Sequence, residues 1–408
     1  MGHPASCICY CQLSSVNRKL KTVNRKLSWS SCSVVCGPWS VSFSYIRVLL
    51  MSIRAFKYFS PLIIYIGSLQ AFIGHGIWCY VPLIYAWILI PALELFLNPD
   101  PSNLSEAEEQ VAKRNKLYDF ILYLIVLVQL PTLFYFLYSM QDPTLTIIDK
   151  IGRFGTMGLL CGTFGVNVGH ELGHRVSRFE QSLAKISLLS SLYMHFIIEH
   201  NKGHHKYVAT PDDPSSARLG EPLYFFFFRT IVFSYISAWQ ITVKELKKEG
   251  KRFISLSNEM LWFQVIQASF VLLIYFLFGW QITLFFLAAA LIGILLLETV
   301  NYIEHYGLQR REIADGKYER AMPEHSWNSN HVIGRIMLFE LSRHSDHHYL
   351  ASRKYQLLRH HDDAPQMPTG YPGMMILSLL PPAWFLVMNP RVEKLQEASI
   401  SHAMAFQE

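Results

Sequence analysis

Charge is scarce in this chain. Only 16% of its 408 residues are Asp, Glu, Lys or Arg, against 51% hydrophobic and 14% aromatic. Soluble domains carry about 25% charged residues, so this balance argues for an integral membrane protein rather than two soluble domains. Acidic side chains are absent from residues 1–50, which hold Arg18, Lys19, Lys21, Arg25, Lys26 and Arg47. The rest of the chain balances at 30 basic against 30 acidic residues, so the net charge of +6 belongs to the opening segment. A nucleic-acid partner is therefore not expected.

Cysteine is almost missing after that segment. Cys7, Cys9, Cys11, Cys32 and Cys36 precede residue 50, and only Cys79 and Cys161 follow, which excludes a disulfide framework for the main body. The opening also lacks a signal peptide's basic start, apolar core and small-residue cleavage site. It contains a near-repeat, Val16-Asn17-Arg18-Lys19-Leu20 and Val23-Asn24-Arg25-Lys26-Leu27, and its cysteine spacings match no zinc pattern. Residues 1–50 read as a disordered or artefactual extension with Met51 as the natural start, 51–395 as the membrane domain, and 396–408 as a tail.

Apolar runs long enough to cross a bilayer, about 20 residues each, fall near 58–78, 79–97, 118–139, 145–168, 258–279 and 281–300. Six crossings put both termini on one side. Lys113, Arg114 and Lys116 in the loop 98–117, and the basic stretch 171–257, make that side cytoplasmic. Two other apolar stretches are not counted as spans: 186–198 is too short and 223–239 is interrupted by Arg229, so both are expected to be buried or interfacial helices. Met374 to Met388 contains Pro381-Pro382, which suggests an interfacial or re-entrant segment.

Histidine is abundant, and eight of the 17 form three tight groups: His170 and His174; His200, His204 and His205; His344, His347 and His348. Positions i and i+4 on a helix share a face, so each group offers two imidazoles to one site and, in the last two, a third at its edge. His305 follows the last span directly, in Asn301-Tyr302-Ile303-Glu304-His305-Tyr306-Gly307-Leu308. All four segments emerge on the same side. Nine nitrogens exceed what one ion takes, so two ions with four or five ligands each are expected; imidazole suits iron, copper, nickel or zinc. Because a bound imidazole usually donates its other N–H to a carboxylate or carbonyl, Glu171, Glu199, Asp346, His325 and His331 are candidates to orient ligands. His75, His195, His360 and His361 read as structural.

His170 to His174 also matches the H-E-x-x-H pattern of zinc proteases, with Glu171 as general base. Two further histidine clusters have no place in a mechanism that needs one zinc with an open position. A carboxylate-rich di-iron bundle needs paired Glu-x-x-His motifs and two further glutamates, and only Glu171 to His174 fits.

The motif His170-Glu171-Leu172-Gly173-His174, the run Glu199-His200 to His204-His205, Asn301 to Leu308, and Leu341-Ser342-Arg343-His344-Ser345-Asp346-His347-His348 resemble the integral-membrane alkane 1-monooxygenases. These are a branch of the membrane fatty-acid desaturase and hydroxylase superfamily. Ala209-Thr210-Pro211-Asp212-Asp213-Pro214 and His325-Ser326-Trp327-Asn328-Ser329-Asn330-His331 are similar too, and the likeness runs from about Met51 to Val392. The resemblance implies six transmembrane helices under a cytoplasmic histidine-rich di-iron cap, in the cell inner membrane. It implies that His170, His174, His200, His204, His205, His305, His344, His347 and His348 ligate two non-haem irons. It further implies terminal hydroxylation of a medium- or long-chain n-alkane to a 1-alkanol with O2, the electrons coming from NADH through rubredoxin reductase and rubredoxin. An alkane C–H bond offers no acid–base handle, so metal-activated O2 is the fitting oxidant, and the bilayer supplies the substrate. In this family a bulky residue of the second span limits chain length; Trp87 is the large residue there, with ordinary helix packing as its alternative.

Three functions compete. A desaturase would lack the Asn301 to Leu308 pattern in this form, whereas aromatic-methyl hydroxylases share much of it. A metal transporter would spread its ligands along the spans rather than beyond their ends on one side.

Overall fold

The computed structural model describes residues 53–405, so the expectation for residues 1–50 lies outside it. Apart from a two-stranded antiparallel ribbon, Glu312–Ala314 with Lys317–Tyr318, the described elements are helical. Six helices are long and apolar enough to cross a membrane: Ile53–Ile73, Gly76–Glu94, Leu117–Ser139, Leu223–Lys248, Glu259–Phe278 and Trp280–His305. Five of these match expected spans to within five residues; the remaining pair changes places.

The expected fourth span, 145–168, lies in one continuous helix over 147–173 that is less apolar than its neighbours. It nevertheless runs the full depth of the bundle. At its start Asp149 accepts from the Thr146 and Gly76 amides, and Arg153 donates to the Ser139 and Gly74 carbonyls, where the first and third spans end. Its other end carries His170. Most of its residues beyond Thr156 are buried, because other helices, not lipid, surround it. Glycines allow that enclosure: a Cβ on Gly158 would lie 2.5 Å from Ile292, and one on Gly162 would lie 2.8 Å from Leu296. Close approach through small residues is the usual packing device between membrane helices, and here it clamps this helix to Trp280–His305.

Leu223–Lys248, with 223–239 expected as a buried or interfacial helix, is long and apolar enough to cross a membrane. Its contacts at both ends are with the histidine-bearing end of the bundle. Phe226 packs on Tyr302 and Thr230 donates to Glu298 near its start, while Glu245 pairs with Lys202 near its finish. Arg229, the charge that interrupts the run, is bound by Glu221 and by the Pro214 and Ser216 carbonyls. Phe225, Phe228 and Phe233 are exposed, as expected of a lipid-facing side.

The apolar run 186–198 is a turn-back. Helix Arg178–Leu189 lies along the 147–173 helix, with Ser187 donating to the Gly165 carbonyl and Leu188 filling the space at Gly169. The chain reverses at Leu192, whose φ of 52° is left-handed, and Phe196–Glu199 leads back to the histidines. His174 and His200 therefore lie at the same end. Near the C-terminus, Tyr371–Ser378 meets the next helix at a 120° bend beside Pro381-Pro382, and that helix, Pro381–Ala405, continues through the expected tail boundary at 396. Trp384 and Met388 are buried, and Trp384 packs tilted against Tyr302 and edge-on against Tyr306.

Candidate metal centre

Four helix ends bring nine imidazoles together. They sort into two groups whose ligand atoms lie within 4.8 Å of one another: His170, His174, His200, His205 and His347 in one, and His204, His305, His344 and His348 in the other. His170 and His174 use α-helical i, i+4 spacing. The second cluster does not, because His200–His204 is a π turn. Its wider pitch aligns His200 with His205 and directs His204 to the other group. In helix His344–Tyr349, His344 and His348 share one group by i, i+4 spacing, and His347 points to the first.

The five Nε2 atoms of the first group form a closed ring. Successive distances are 3.0 Å from His170 to His347, 3.1 Å to His205, 3.1 Å to His200, 3.2 Å to His174 and 3.3 Å back to His170. In the second group His348 Nε2 lies 2.9 Å from His344 and 3.2 Å from His204. With metal–imidazole bonds of about 2.0–2.1 Å, ligands at right angles sit about 3.0 Å apart and tetrahedral ones about 3.4 Å. The observed spacing thus suits a coordination number above four. The two groups abut, with the His205 and His348 rings 4.5 Å apart between centroids.

Burial, reinforced by the neighbouring imidazoles, holds His200, His205, His344, His347 and His348 well below the usual histidine range. They are neutral and have lone pairs to give, the state metal binding requires. His305 Nε2 is buried without a hydrogen-bond partner among the described residues, a donor atom that a metal would satisfy. The nine imidazoles offer nitrogen donors, which fits a first-row transition ion and leaves no role for a single protease zinc. Nor are the ligands strung along the spans as a translocation path would have them.

Two side chains fix ligand rings through Nδ1, and a third meets a ring at Nε2. Asp213 Oδ2 lies 2.8 Å from His204 Nδ1, and Asp213 is itself held by the Ser216 hydroxyl and the Ser215 amide. Ser326 Oγ lies 3.1 Å from His305 Nδ1, and Glu304 Oε2 lies 3.1 Å from His344 Nε2. The five side chains expected to orient ligands make other bonds. Glu171 accepts from Arg175 and the Tyr355 amide, Glu199 from Ser237, and Asp346 from Arg353, the Arg359 amide and His361. His325 binds the Met322 amide and faces Glu319, and His331 bonds Ser329. Asp213 and Ser326 stood in the flanking motifs of the sequence, but only the fold shows which ring each one meets.

A largely apolar cavity with about 840 Å³ of empty space, mouth included, ends at His170, His200 and His344. Ile64, Leu159, Val166, Leu296, Val300 and Met337 line it, with Asn301 and Glu304 among its few polar groups. Trp87 also lines it, half-buried on a π turn, Tyr85–Leu89, of the second span. Pro91 follows that turn and has no N–H to return to the Trp87 carbonyl, which favours the local widening.

A family model described as fatty acid desaturase matches residues 153–378. Alkane 1-monooxygenase 2 of Alcanivorax borkumensis is 39% identical over 337 residues, covering 81% of this chain and 88% of the relative. Alkane 1-monooxygenase of Acinetobacter baylyi is 40% identical over 318 residues, covering 77% of this chain and 78% of the relative. The chain belongs to the alkane 1-monooxygenase family. It is a multi-pass membrane enzyme, as the shared length and the six apolar helices require. The xylene/toluene monooxygenase hydroxylase component of Pseudomonas putida is also similar, at 28% identity over 60% of this chain and 65% of the relative.

Proposed function

We propose that this enzyme hydroxylates the terminal carbon of a medium- or long-chain n-alkane, at two non-haem irons held by the nine histidines. The carrying observation is the apolar cavity that ends at His170, His200 and His344. His170, His174, His200, His205 and His347 would hold one iron, and His204, His305, His344 and His348 the other. When bound, the irons supply the oxidising power that an unactivated C–H bond demands. The reaction balances as R–CH3 + O2 + two electrons + two protons giving R–CH2OH + H2O.

The chain's own residues bind and orient. Apolar walls desolvate the alkane, with each buried methylene contributing about 0.8 kcal/mol, and the histidine end receives the chain terminus. Trp87 bounds the cavity and sets the accepted length. Asp213 and Ser326 lock their rings in the ligating tautomer. Electrons arrive from NADH by way of rubredoxin reductase and rubredoxin at the cytoplasmic face of the inner membrane. The orientation is supported by helix Glu106–Arg114, which carries Lys113 and Arg114 and is tied to the histidine end through Glu109 and Arg359.

Membranes containing the enzyme, supplied with rubredoxin, its reductase and NADH, are expected to convert n-alkanes to 1-alkanols. No 1-alkanol, or a purified protein holding zinc in place of iron, would refute the reading. The similarity to the xylene/toluene hydroxylase favours one alternative, oxidation of an aromatic methyl group. Toluene in the same assay separates the two, because the alkane reading expects octane to be turned over in preference to it.

A further inference from the structure

We propose that Glu304 is a tenth metal-binding residue, its carboxylate completing the four-histidine group as a fifth ligand. The inference rests on the iron-pair reading above. Glu304 precedes His305 on the last turn of Trp280–His305 and is 1% exposed. Its Oε2 lies 3.1 Å from His344 Nε2, within the 2.9–3.3 Å range of the nitrogen contacts inside the two groups. The carboxylate thus stands as near to His344 as a ligand of the group does. With it, each iron has five donors.

Three observations separate a ligand from a mere hydrogen-bond partner. First, His344 serves its group through Nε2, and its Nδ1 is buried without a partner among the described residues. A proton on Nε2 would bond Glu304 but remove the lone pair the metal needs. Without that proton, a carboxylate oxygen and a nitrogen lone pair face each other, an arrangement that a metal ion between them makes favourable, as a proton on the carboxyl would. Secondly, no arginine or lysine is recorded against Glu304 among the described residues; its ion pair is with His344. A buried carboxylate without a counter-charge is costly, and a metal ion supplies one. Thirdly, the other oxygen is anchored, because Oε1 accepts from the Tyr371 hydroxyl at 2.9 Å. The backbone is held as well, the Glu304 carbonyl accepting from the Trp327 amide at 2.8 Å.

Other buried acids near the centre lack this geometry. Asp213 meets the Nδ1 side of His204, away from the group's centre, and Glu298 is satisfied by Tyr193, Thr230 and Asn301. Glu304 also lines the cavity, so the iron it serves is the one with an anionic ligand beside the alkane.

The test is iron content and Mössbauer spectroscopy of the purified full-length protein, neither of which depends on turnover. In Glu304→Gln, which keeps the shape and an acceptor for Tyr371, iron is expected to fall about twofold, or one iron's spectral signature to change while the other's stays. Tyr371→Phe leaves the carboxylate in place and is expected to retain both irons and both signatures. Two irons with unchanged signatures in Glu304→Gln would overturn the inference, as would equal iron loss in both variants. Should Glu304→Gln fail to fold, Glu304→Asp, which withdraws the charge by one methylene, is expected to alter one signature alone; an unaltered spectrum overturns the inference. A wild-type protein without two irons refutes the parent reading instead, a result visible before any variant is made.

Discussion

Replacing Asp213 by asparagine isolates the electrostatic part of ligand positioning. The carboxylate is buried; its Oδ2 lies 2.8 Å from His204 Nδ1 and also accepts from the Ser216 hydroxyl, while its Oδ1 accepts from the Ser215 amide. Burial pushes its carboxyl up, but the bonds to His204, Ser216 and the Ser215 amide outweigh that and hold it below the usual carboxylate range. It is therefore charged, and its charge polarises the imidazole toward the metal. Asparagine has the same shape and can still accept from Nδ1–H through its one oxygen, so what is lost is the charge and the acceptor for the Ser215 amide. Losing such an outer partner costs about 10–100-fold in metal affinity, or about 1.4–2.7 kcal/mol. The assay is iron retention against a graded chelator, with Asp346→Asn in parallel. Asp346 lies next to His347 in sequence but is engaged by Arg353, the Arg359 amide and His361, so its variant is expected to destabilise that loop and leave iron affinity within about twofold. Equal chelator profiles for wild type and Asp213→Asn would refute the reasoning, and the reverse ranking of the two variants would refute it more sharply.

Trp87→Ser should lengthen the accepted chain: each further methylene that gains a buried site adds about 0.8 kcal/mol to binding, near fourfold, and product profiles across longer alkanes read it out. An unchanged profile would return Trp87 to ordinary packing. His305→Ala should lose iron and activity yet still insert, as judged by resistance to alkaline extraction; retained iron and activity would leave eight ligands. Gly162→Val forces a side chain into the 2.8 Å gap before Leu296, an overpacking worth about 1–3 kcal/mol. Because that contact joins the helices bearing His170 and His305, melting temperature and iron content should fall together.

The fold was legible wherever lipid writes the sequence. Five spans were visible because lipid-facing helices must be apolar on most sides. The 147–173 helix is enclosed by protein, so selection on it is for closeness: Gly158 and Gly162 meet Ile292 and Leu296, and Arg153 caps two neighbouring helices. Its average apolarity therefore falls short of its neighbours', although the apolar run 145–168 still marks it. The same measure promotes Leu223–Lys248, since one exposed aromatic side suffices to raise its average. Contacts at Tyr302, Glu298 and Lys202 show where that helix lies; hydropathy does not carry that information.

The site was legible in membership and obscure in partition. That nine histidines would meet followed from their common side. Which group each would join did not, because i, i+4 logic pairs His200 with His204, whereas the π turn pairs His200 with His205. A π turn leaves no reliable mark in sequence, since its cost is met by what it positions. The same holds for the orienting groups. Proximity in the chain nominated Glu171, Glu199 and Asp346, but a ring's second nitrogen points away from its own helix, so its partner comes from elsewhere in the fold. His204 finds Asp213 after nine residues, and His305 finds Ser326 after 21. For a centre assembled from helix ends, the nearest acid in sequence is the wrong place to search; the loop that returns over the cluster is the right one.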